Sequence, residues 1–477
     1  MNVKRSDTAP LLWLGLVLAI ALAIAFLLPV TPQDYWWYLR IGRDTLTAGA
    51  VPGVDALTFT QAGAPVVYHS WGAAVLFWLT YKLGGLPLTV FLRGLLVALA
   101  YSLVWLTVRR LGAGRMSAAL VLLLAVLASS NNWSIRPQLF AYPLFALALY
   151  LLYRWHKGDR HAVWGLPLIS LLWVNLHGSF VLLVLLAGAA LAFGHGNRRS
   201  LALAAAGVLV ATLINPRGFG SWTYVFNSLT ATSSQVFSQE WGPPANTGWQ
   251  MNIFFFWLLG FPLLAAFSPR KLDRLEWTWF LGFGFLALWG ERYVIWFIFI
   301  LAVLTAFLLA DWEKKYLGNP KPGSALLNIA LSVVFVLLPL SLLPGVRNAW
   351  WHASPAETEN TPIAATQWLA IHPELPGPLW SEIGFSSYLE FALPARPTWI
   401  DARFEVFPVS QWQDYQDITD ANWDWSALLE KTGANLLMVS VKEQPALVEA
   451  LGHQDKWCEL YRDRVAVIYQ RSSCGGQ

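Results

Sequence analysis

Charge is what this 477-residue chain has least of: Asp, Glu, Lys and Arg together make up 13% of it, against 56% apolar residues. So little charge excludes an ordinary soluble domain, whose surface needs about twice that share, and indicates a polytopic membrane protein. Cysteine is nearly absent. Cys458 and Cys474 are the two, they define no metal-ligand spacing, and whether they pair stays open. No small-residue cleavage site follows the first apolar run, which excludes a removed signal peptide and leaves an anchoring helix. Internal repeats are also lacking, which argues against a transporter built from two related halves. The net charge of +4 says little by itself, and no nucleic-acid partner is expected.

What the chain has in excess is tryptophan, 28 in all, several near the ends of apolar runs, where interfacial belts form. Apolar runs of spanning or near-spanning length occur at about 11–30, 71–108, 116–134, 137–153, 162–177, 179–194, 201–215, 251–268, 277–290, 293–310 and 325–344. This predicts about 11 crossings. Residues 71–108 are too long for one span, and Gly84-Gly85-Leu86-Pro87 predicts a break there; whether the segment crosses once or twice stays open. Basic residues mark alternate loops: Lys4 and Arg5, Arg109, Arg110 and Arg115, Arg154, Lys157 and Arg160, Arg198 and Arg199, Arg270, Lys271 and Arg274, then Lys314, Lys315 and Lys321. The other loops hold few: Arg40, Arg43, Arg136, Arg217 and Arg292. By the positive-inside rule the first set is cytoplasmic. The expected location is the inner (plasma) membrane, with the C-terminal region extracytoplasmic.

From Arg347 onward charge rises and Pro and Gly punctuate the chain. The expected organisation is a multi-pass domain over 1–345, with an amphipathic first outer loop at 31–70, and a small α/β domain over 346–477. Within the latter, a helix at 361–369 with a threonine cap, strands at 397–401, 435–440 and 465–470, a helix at 424–432 and a hairpin turning at Arg462-Asp463-Arg464 are predicted.

Polar residues on the outer side are the candidates for chemistry. Asp34 stands directly before Tyr35-Trp36-Trp37-Tyr38, where a membrane helix meets water. It reads equally as the N-cap of a surface helix over 35–48 and as an acid facing a cavity at the bilayer edge. Arg136 in SIRPQ suits a phosphate, with Gln138 as a further donor, or else snorkels to the interface. Asn175 and His177 in WVNLHGS interrupt an apolar stretch and belong to a cavity or to a satisfied turn. Asp55, His69, Asn215, Arg217, Glu240, Glu291 and Arg292 complete a polar ceiling above the bundle. A non-catalytic scaffold and a lipid-linked-sugar transporter remain open on residues alone, as does a polysaccharide polymerase or ligase.

The order of an outer loop opening with an acid, a surface helix, a multi-pass bundle and a C-terminal domain resembles the GT-C superfamily of membrane glycosyltransferases. That superfamily includes protein O-mannosyltransferases, oligosaccharyltransferases and the lipid A aminoarabinose transferase. DYWWYLRIGRDTLTAGAVPGVDALTFT, HSWGAAVLFWLTYKLGG, RPQLF, WVNLHGSF, INPRGF and WIDARFE look like a bacterial group within it, over nearly the whole chain. The resemblance implies an inverting enzyme with a polyprenyl-phosphate sugar donor and an acceptor of unspecified kind, lipid, glycan or protein. It implies Asp34 as catalytic base and a basic residue, placed here at Arg136, for the donor phosphate. Arg136, Gln138, Asn175, His177, His69 and Asp55 are the expected substrate-binding residues. No metal ligands are assigned and the cofactor stays unknown: Asp34 stands alone where many relatives carry an adjacent pair of acids, and no second acidic motif adjoins Arg136 in sequence, so a divalent metal stays open without an acidic pair to support it.

Overall fold

The computed structural model describes residues 8–316, 324–351 and 358–472. All eleven predicted runs are helical. They are α1 (Ala9–Leu27), α3 (Trp71–Arg110, which follows the surface helix α2, Tyr35–Ala48), α4 (Arg115–Ser129), α5 (Gln138–His156), α6 (Leu166–Leu176), α7 (Val181–Phe193) and α8 (Arg198–Ala211). After the short α9 (Gly220–Thr230) and α10 (Thr232–Phe237) come α11 (Gly248–Phe267), α12 (Arg274–Trp289), α13 (Val294–Tyr316) and α14 (Ala325–Leu337). The chain is thus a multi-pass membrane protein, with 68% of the described residues helical. Among the described residues, six helical stretches are long and apolar enough to cross a bilayer. At 1.5 Å per residue α6 and α7 reach only ~16–20 Å, well short of the ~30 Å hydrocarbon core. The expected eleven crossings therefore do not follow from eleven helices.

The predicted break in α3 is present: Gly84 and Gly85 leave helical geometry, Gly85 at φ +62°, a conformation glycine adopts without steric cost. The chain divides near this point into two compact units. The first comprises Met1–Leu28, Leu83–Val225 and Gln239–Ser354; the second comprises Pro29–Lys82, Phe226–Ser238 and Pro355–Gln477. The sequence-based division drew one boundary at 345/346, whereas by contacts the first outer loop groups with the C-terminal residues.

In the first unit the basic residues gather at one end. Arg270 donates to the Leu111 carbonyl at 2.8 Å and pairs with Asp311 at 2.9 Å. Glu313 accepts the amides of Met116 and Ser117 at the start of α4. His156, at the end of α5, meets Asp273 before α12 at 2.6 Å. The loops holding Arg109 to Arg115, Arg154 to Arg160, Arg198 and Arg199, Arg270 to Arg274, and Lys314 and Lys315 are therefore neighbours. Lys4, Arg5 and Lys321 lie outside the described residues.

The second unit carries the predicted small sheet, in the order β1 (Leu379–Ser381), β2 (Leu436–Ser440), β4 (Ala466–Arg471), β3 (Trp457–Arg462). β1 and β2 run parallel, and β3 and β4 form the predicted hairpin. Residues 397–401 form no strand; Thr398 makes only isolated bridges, to Thr58 and Leu379. Around the sheet pack α16 (Ile363–Ala370), α17 (Ile383–Ala392), α18 (Val409–Thr419), α19 (Trp425–Lys431) and α20 (Pro445–Gly452), after α15 (Val346–Trp351). The expected threonine cap on α16 is absent, Pro362 holding the N-cap position without a side-chain bond. The question of a disulfide falls on Cys474, outside the described residues.

Helix α2 spans the residues expected of the surface helix, but its aromatic face is spent on protein. Trp36 is 2% exposed and meets the rings of Tyr388, Phe391 and Tyr81. α2 and α17 lie side by side in parallel register: the Trp37 amide donates to Ser387 Oγ at 3.1 Å and Arg40 Nη1 to the Glu390 carbonyl at 2.9 Å. Gly42 permits the approach of α3, since a Cβ there would lie 2.2 Å from the Ala74 carbonyl oxygen.

Candidate functional site

At the helix ends opposite the basic cluster, the first unit opens into a polar cleft of about 450 Å³. Its lining is Asn131, Asn132, Ser134, Arg136, Gln138, Glu240, Glu291 and Arg292. One wall is the connection from α4 to α5. A 3-10 turn, Ser130–Asn132, follows α4, and the buried Trp133 pins the loop. Tyr142, one turn into α5, donates to the Asn132 carbonyl at 2.6 Å. Pro137 occupies the N-cap position of α5 with φ −49°; its ring fixes that angle near the helical value and it has no N–H to leave unpaired. Arg136 is thereby set on a stiff rim.

The other wall is two further 3-10 turns, Gln239–Trp241 and Glu291–Tyr293. The Glu291 amide donates to the Gly242 carbonyl at 2.9 Å, and the Arg292 guanidinium lies 4.1 Å over the Trp241 ring, a cation–π contact. Arg136 Nη1 meets Glu240 Oε2 at 2.7 Å, with side chains 28% and 36% exposed. Burial pulls the Glu240 carboxyl up, but Arg136 and Arg292 outweigh it and hold the group below its usual range. Gln138 Nε2 reaches the Arg292 carbonyl at 3.5 Å, and Asn131 Nδ2 reaches Glu291 Oε1 at 3.4 Å; both are long, weak bonds. Two guanidiniums, two carboxylates and three side-chain amides thus share one solvent-facing cleft. It can exchange one anion for another.

Of the residues picked from sequence, Arg136 and Gln138 meet here, and Glu240, Glu291 and Arg292 join them from elements over a hundred residues away. The absence of an acidic motif near Arg136 in sequence does not carry over to space. Asn175 and His177 lie elsewhere, on the turn between α6 and α7. Asn175 Nδ2 donates to the carbonyls of Leu171 and Ile214 at 2.9 and 3.0 Å. His177 Nδ1 accepts the Ser179 amide at 3.1 Å and pairs with Ser179 Oγ at 2.7 Å, and the Trp173 indole donates to the same hydroxyl.

The remaining picks belong to the second unit. Asp34 holds the N-cap position of α2, but its side chain makes no capping bond. It is half-buried, as is His69 just ahead of α3. Asp55 is fully buried: its Oδ2 accepts from the Thr58 amide and hydroxyl, and its Oδ1 pairs with Arg403 at 2.6 Å. Arg403 also meets Asp401 at 2.5 Å and donates to the Tyr68 hydroxyl at 3.0 Å. Glu390 completes this cluster, its Oε1 accepting from Thr398 Oγ1 at 3.1 Å. Burial and the Asp401 charge push the Glu390 carboxyl well up.

Among the described residues, one group of side chains has metal-ligand spacing. His156, His195 and Asp273, at the basic end of the first unit, have ligand atoms within 4.8 Å of one another. The tautomer argues against an ion there. His156 Nδ1 accepts the His195 amide at 3.1 Å, so Nε2 carries the proton and gives it to Asp273, whereas a ligating imidazole presents a lone pair on one nitrogen and donates from the other. Asp273 is further engaged in the capping box of α12.

Neither the known family models nor the curated proteins include a match to this chain. Among solved structures, the oligosaccharyltransferase AglB of Archaeoglobus fulgidus, in complex with an inhibitory peptide and a dolichol-phosphate, matches with a TM-score of 0.62 at 12% identity. The match covers 100% of this chain and 75% of that one. The mycobacterial arabinofuranosyltransferase AftD matches at TM-score 0.58 and 14% identity, over 96% of this chain and 41% of that one. ArnT of Cupriavidus metallidurans, bound to undecaprenyl phosphate, matches at 0.51 and 16%, over 98% and 99%. The chain shares the fold of GT-C glycosyltransferases.

Proposed function

We propose that this protein is a membrane glycosyltransferase that moves a sugar from a polyprenyl-phosphate donor to an acceptor on the extracytoplasmic face. The observation that carries the reading is the Arg136–Arg292 cleft, set at the helix ends opposite the basic cluster, in a fold shared with proteins captured with dolichol-phosphate and undecaprenyl phosphate. By the positive-inside rule that cleft is extracytoplasmic, at the depth where a polyprenyl phosphate presents its head group. Arg136 binds the phosphate, Arg292 adds charge, and Gln138 donates a hydrogen bond.

Asp34 is the base in this proposal. The acceptor oxygen attacks the anomeric carbon on the face opposite the phosphate, and its proton passes to the Asp34 carboxylate. The carbon–oxygen bond to the phosphate breaks, and the electron pair leaves with the phosphate oxygen. The configuration at the anomeric carbon inverts. Asn175 and His177 hold their turn, and Asp55 holds the outer loop that carries Asp34, so these three act by positioning, while His69 is proposed as a substrate-binding residue. The test is direct binding of undecaprenyl phosphate to the purified protein in detergent. Arg136→Gln should weaken it at least tenfold; unchanged binding would return Arg136 to an interfacial anchor.

A further inference from the structure

We infer that Glu240 is a built-in competitor for the donor phosphate: its carboxylate holds the place on Arg136 that a phosphate would take, and gives it up and recovers it in each cycle. The inference rests on the reading of Arg136 as a phosphate ligand and adds to it a residue that sets how tightly the cleft holds an anion.

Three features carry it. The first is charge balance: Arg136 and Arg292 face Glu240 and Glu291 in the same cleft, so two positive charges meet two negative ones, and a phosphate entering without displacement would make the cleft net anionic. The second is the contact itself. At 2.7 Å between Arg136 Nη1 and Glu240 Oε2, the carboxylate uses the guanidinium as a phosphate oxygen would. With both side chains about a third exposed, water screens the pair, and such a pair is readily exchanged.

The third feature is that Glu240 has a second place to go. The turn that carries it is tied just beyond, at Gly242, whose carbonyl accepts the Glu291 amide at 2.9 Å, and at Trp241, whose ring lies 4.1 Å under the Arg292 guanidinium. The side chain alone can therefore turn from Arg136 toward Arg292, whose charge already acts on it. A carboxylate that returns to Arg136 after transfer also speeds departure of the spent lipid phosphate. A carboxylate serving to hold a ligand through a cation would have the opposite effect, and the sign of one substitution separates the two.

The experiment measures binding of undecaprenyl phosphate, inorganic phosphate and undecaprenol to the full-length protein in detergent, for the native chain, Glu240→Gln, Glu240→Asp and Arg136→Gln. Glu240→Gln, which keeps the shape and loses the charge, should bind undecaprenyl phosphate about tenfold more tightly and leave undecaprenol unchanged. Glu240→Asp, one methylene short of Arg136, should fall between, and it decides the matter if the Gln variant does not fold. Unchanged or weaker phosphate binding in both Glu240 variants, while Arg136→Gln loses binding, overturns this inference alone. Full binding by Arg136→Gln overturns the phosphate reading beneath it. A gain confined to inorganic phosphate overturns the lipid assignment, and an equal gain for undecaprenol shows that charge competition is not the cause.

Discussion

Two arginines of this protein keep company with acids, to different ends. Arg403, in the second unit, is 4% exposed and pairs with Asp55 and Asp401, while the Glu390 carboxyl beside them is pushed well up by burial and the Asp401 charge. Arg136, in the first unit, pairs with Glu240 where water reaches both. The chemistry of the pairs is the same; burial decides what they do. A desolvated arginine must be neutralised permanently, and losing a partner there strands a charge. A solvated one gains little from its partner and can change it. The first arrangement ties the VPGVDALTFT segment of the outer loop to the WIDARFE segment near the C-terminus, and the second leaves an ion pair in contact with water, the pair proposed here to yield to a phosphate.

The largest effect should come from breaking the buried cluster. Arg403→Met leaves the Asp55 and Asp401 carboxylates uncompensated and should cost ~3–5 kcal/mol, read as a lower melting temperature and protease release of fragments from the second unit. The corresponding change at Arg136, to Gln, should shift stability by less than ~1 kcal/mol while removing phosphate binding. Equal destabilisation by the two would erase the distinction.

Asp34→Asn comes next. Because Asp34 makes no side-chain cap and Asn suits the N-cap position as well as Asp, stability should change by only a few tenths of a kcal/mol. Transfer activity should fall ~10²-fold or more, the range for loss of a general base. Full activity in this variant would leave Asp34 with a purely local role.

A pH titration sharpens the comparison further. Glu382, at the start of α17, accepts the Phe385 amide at 2.9 Å, but burial outweighs that bond and pushes its carboxyl up to about 7. A carboxyl raised on folding favours the protonated native state, so its contribution is complete below the unfolded value of ~4.3 and is lost as pH rises to about 7. Chemical denaturation between these limits should show stability of the second unit falling by at most ~1.4 kcal/mol per pH unit from this group. Glu382→Gln should remove that part of the slope. The smallest effect is expected at Asn175: Asn175→Ala frees the carbonyls of Leu171 and Ile214 at a cost of ~1 kcal/mol, with phosphate affinity unchanged, since Asn175 does not line the cleft.

Membrane embedding, the helical runs and the break in α3 were legible in the chain itself, because apolar content, 3.6-residue periodicity and glycine freedom are local properties. The span of α2 followed from its alternation of aromatic and charged residues, and the β3–β4 hairpin from two apolar runs around Asp463. Arg136 could be picked out as well, being one of few basic residues away from the Lys- and Arg-rich loops. Glu240, Glu291 and Arg292 stood out too, as parts of a polar ceiling, but that they meet Arg136 was not legible. Glu240 and Glu291 stand 104 and 155 positions further along the chain, and only the packing of α11, α12 and α13 brings their turns to the end of α4. The second unit shows the same limit: Trp36 and Trp37 read as membrane anchors until α17 covers the first and Leu57, Val66 and Tyr68 of the outer loop cover the second, and Asp55 reads as a substrate-binding residue until Arg403 pairs with it out of reach of water. Spacing along a chain reports local geometry, whereas an ion pair or a buried face depends on which distant segment arrives, and that is set by the packing of the whole unit.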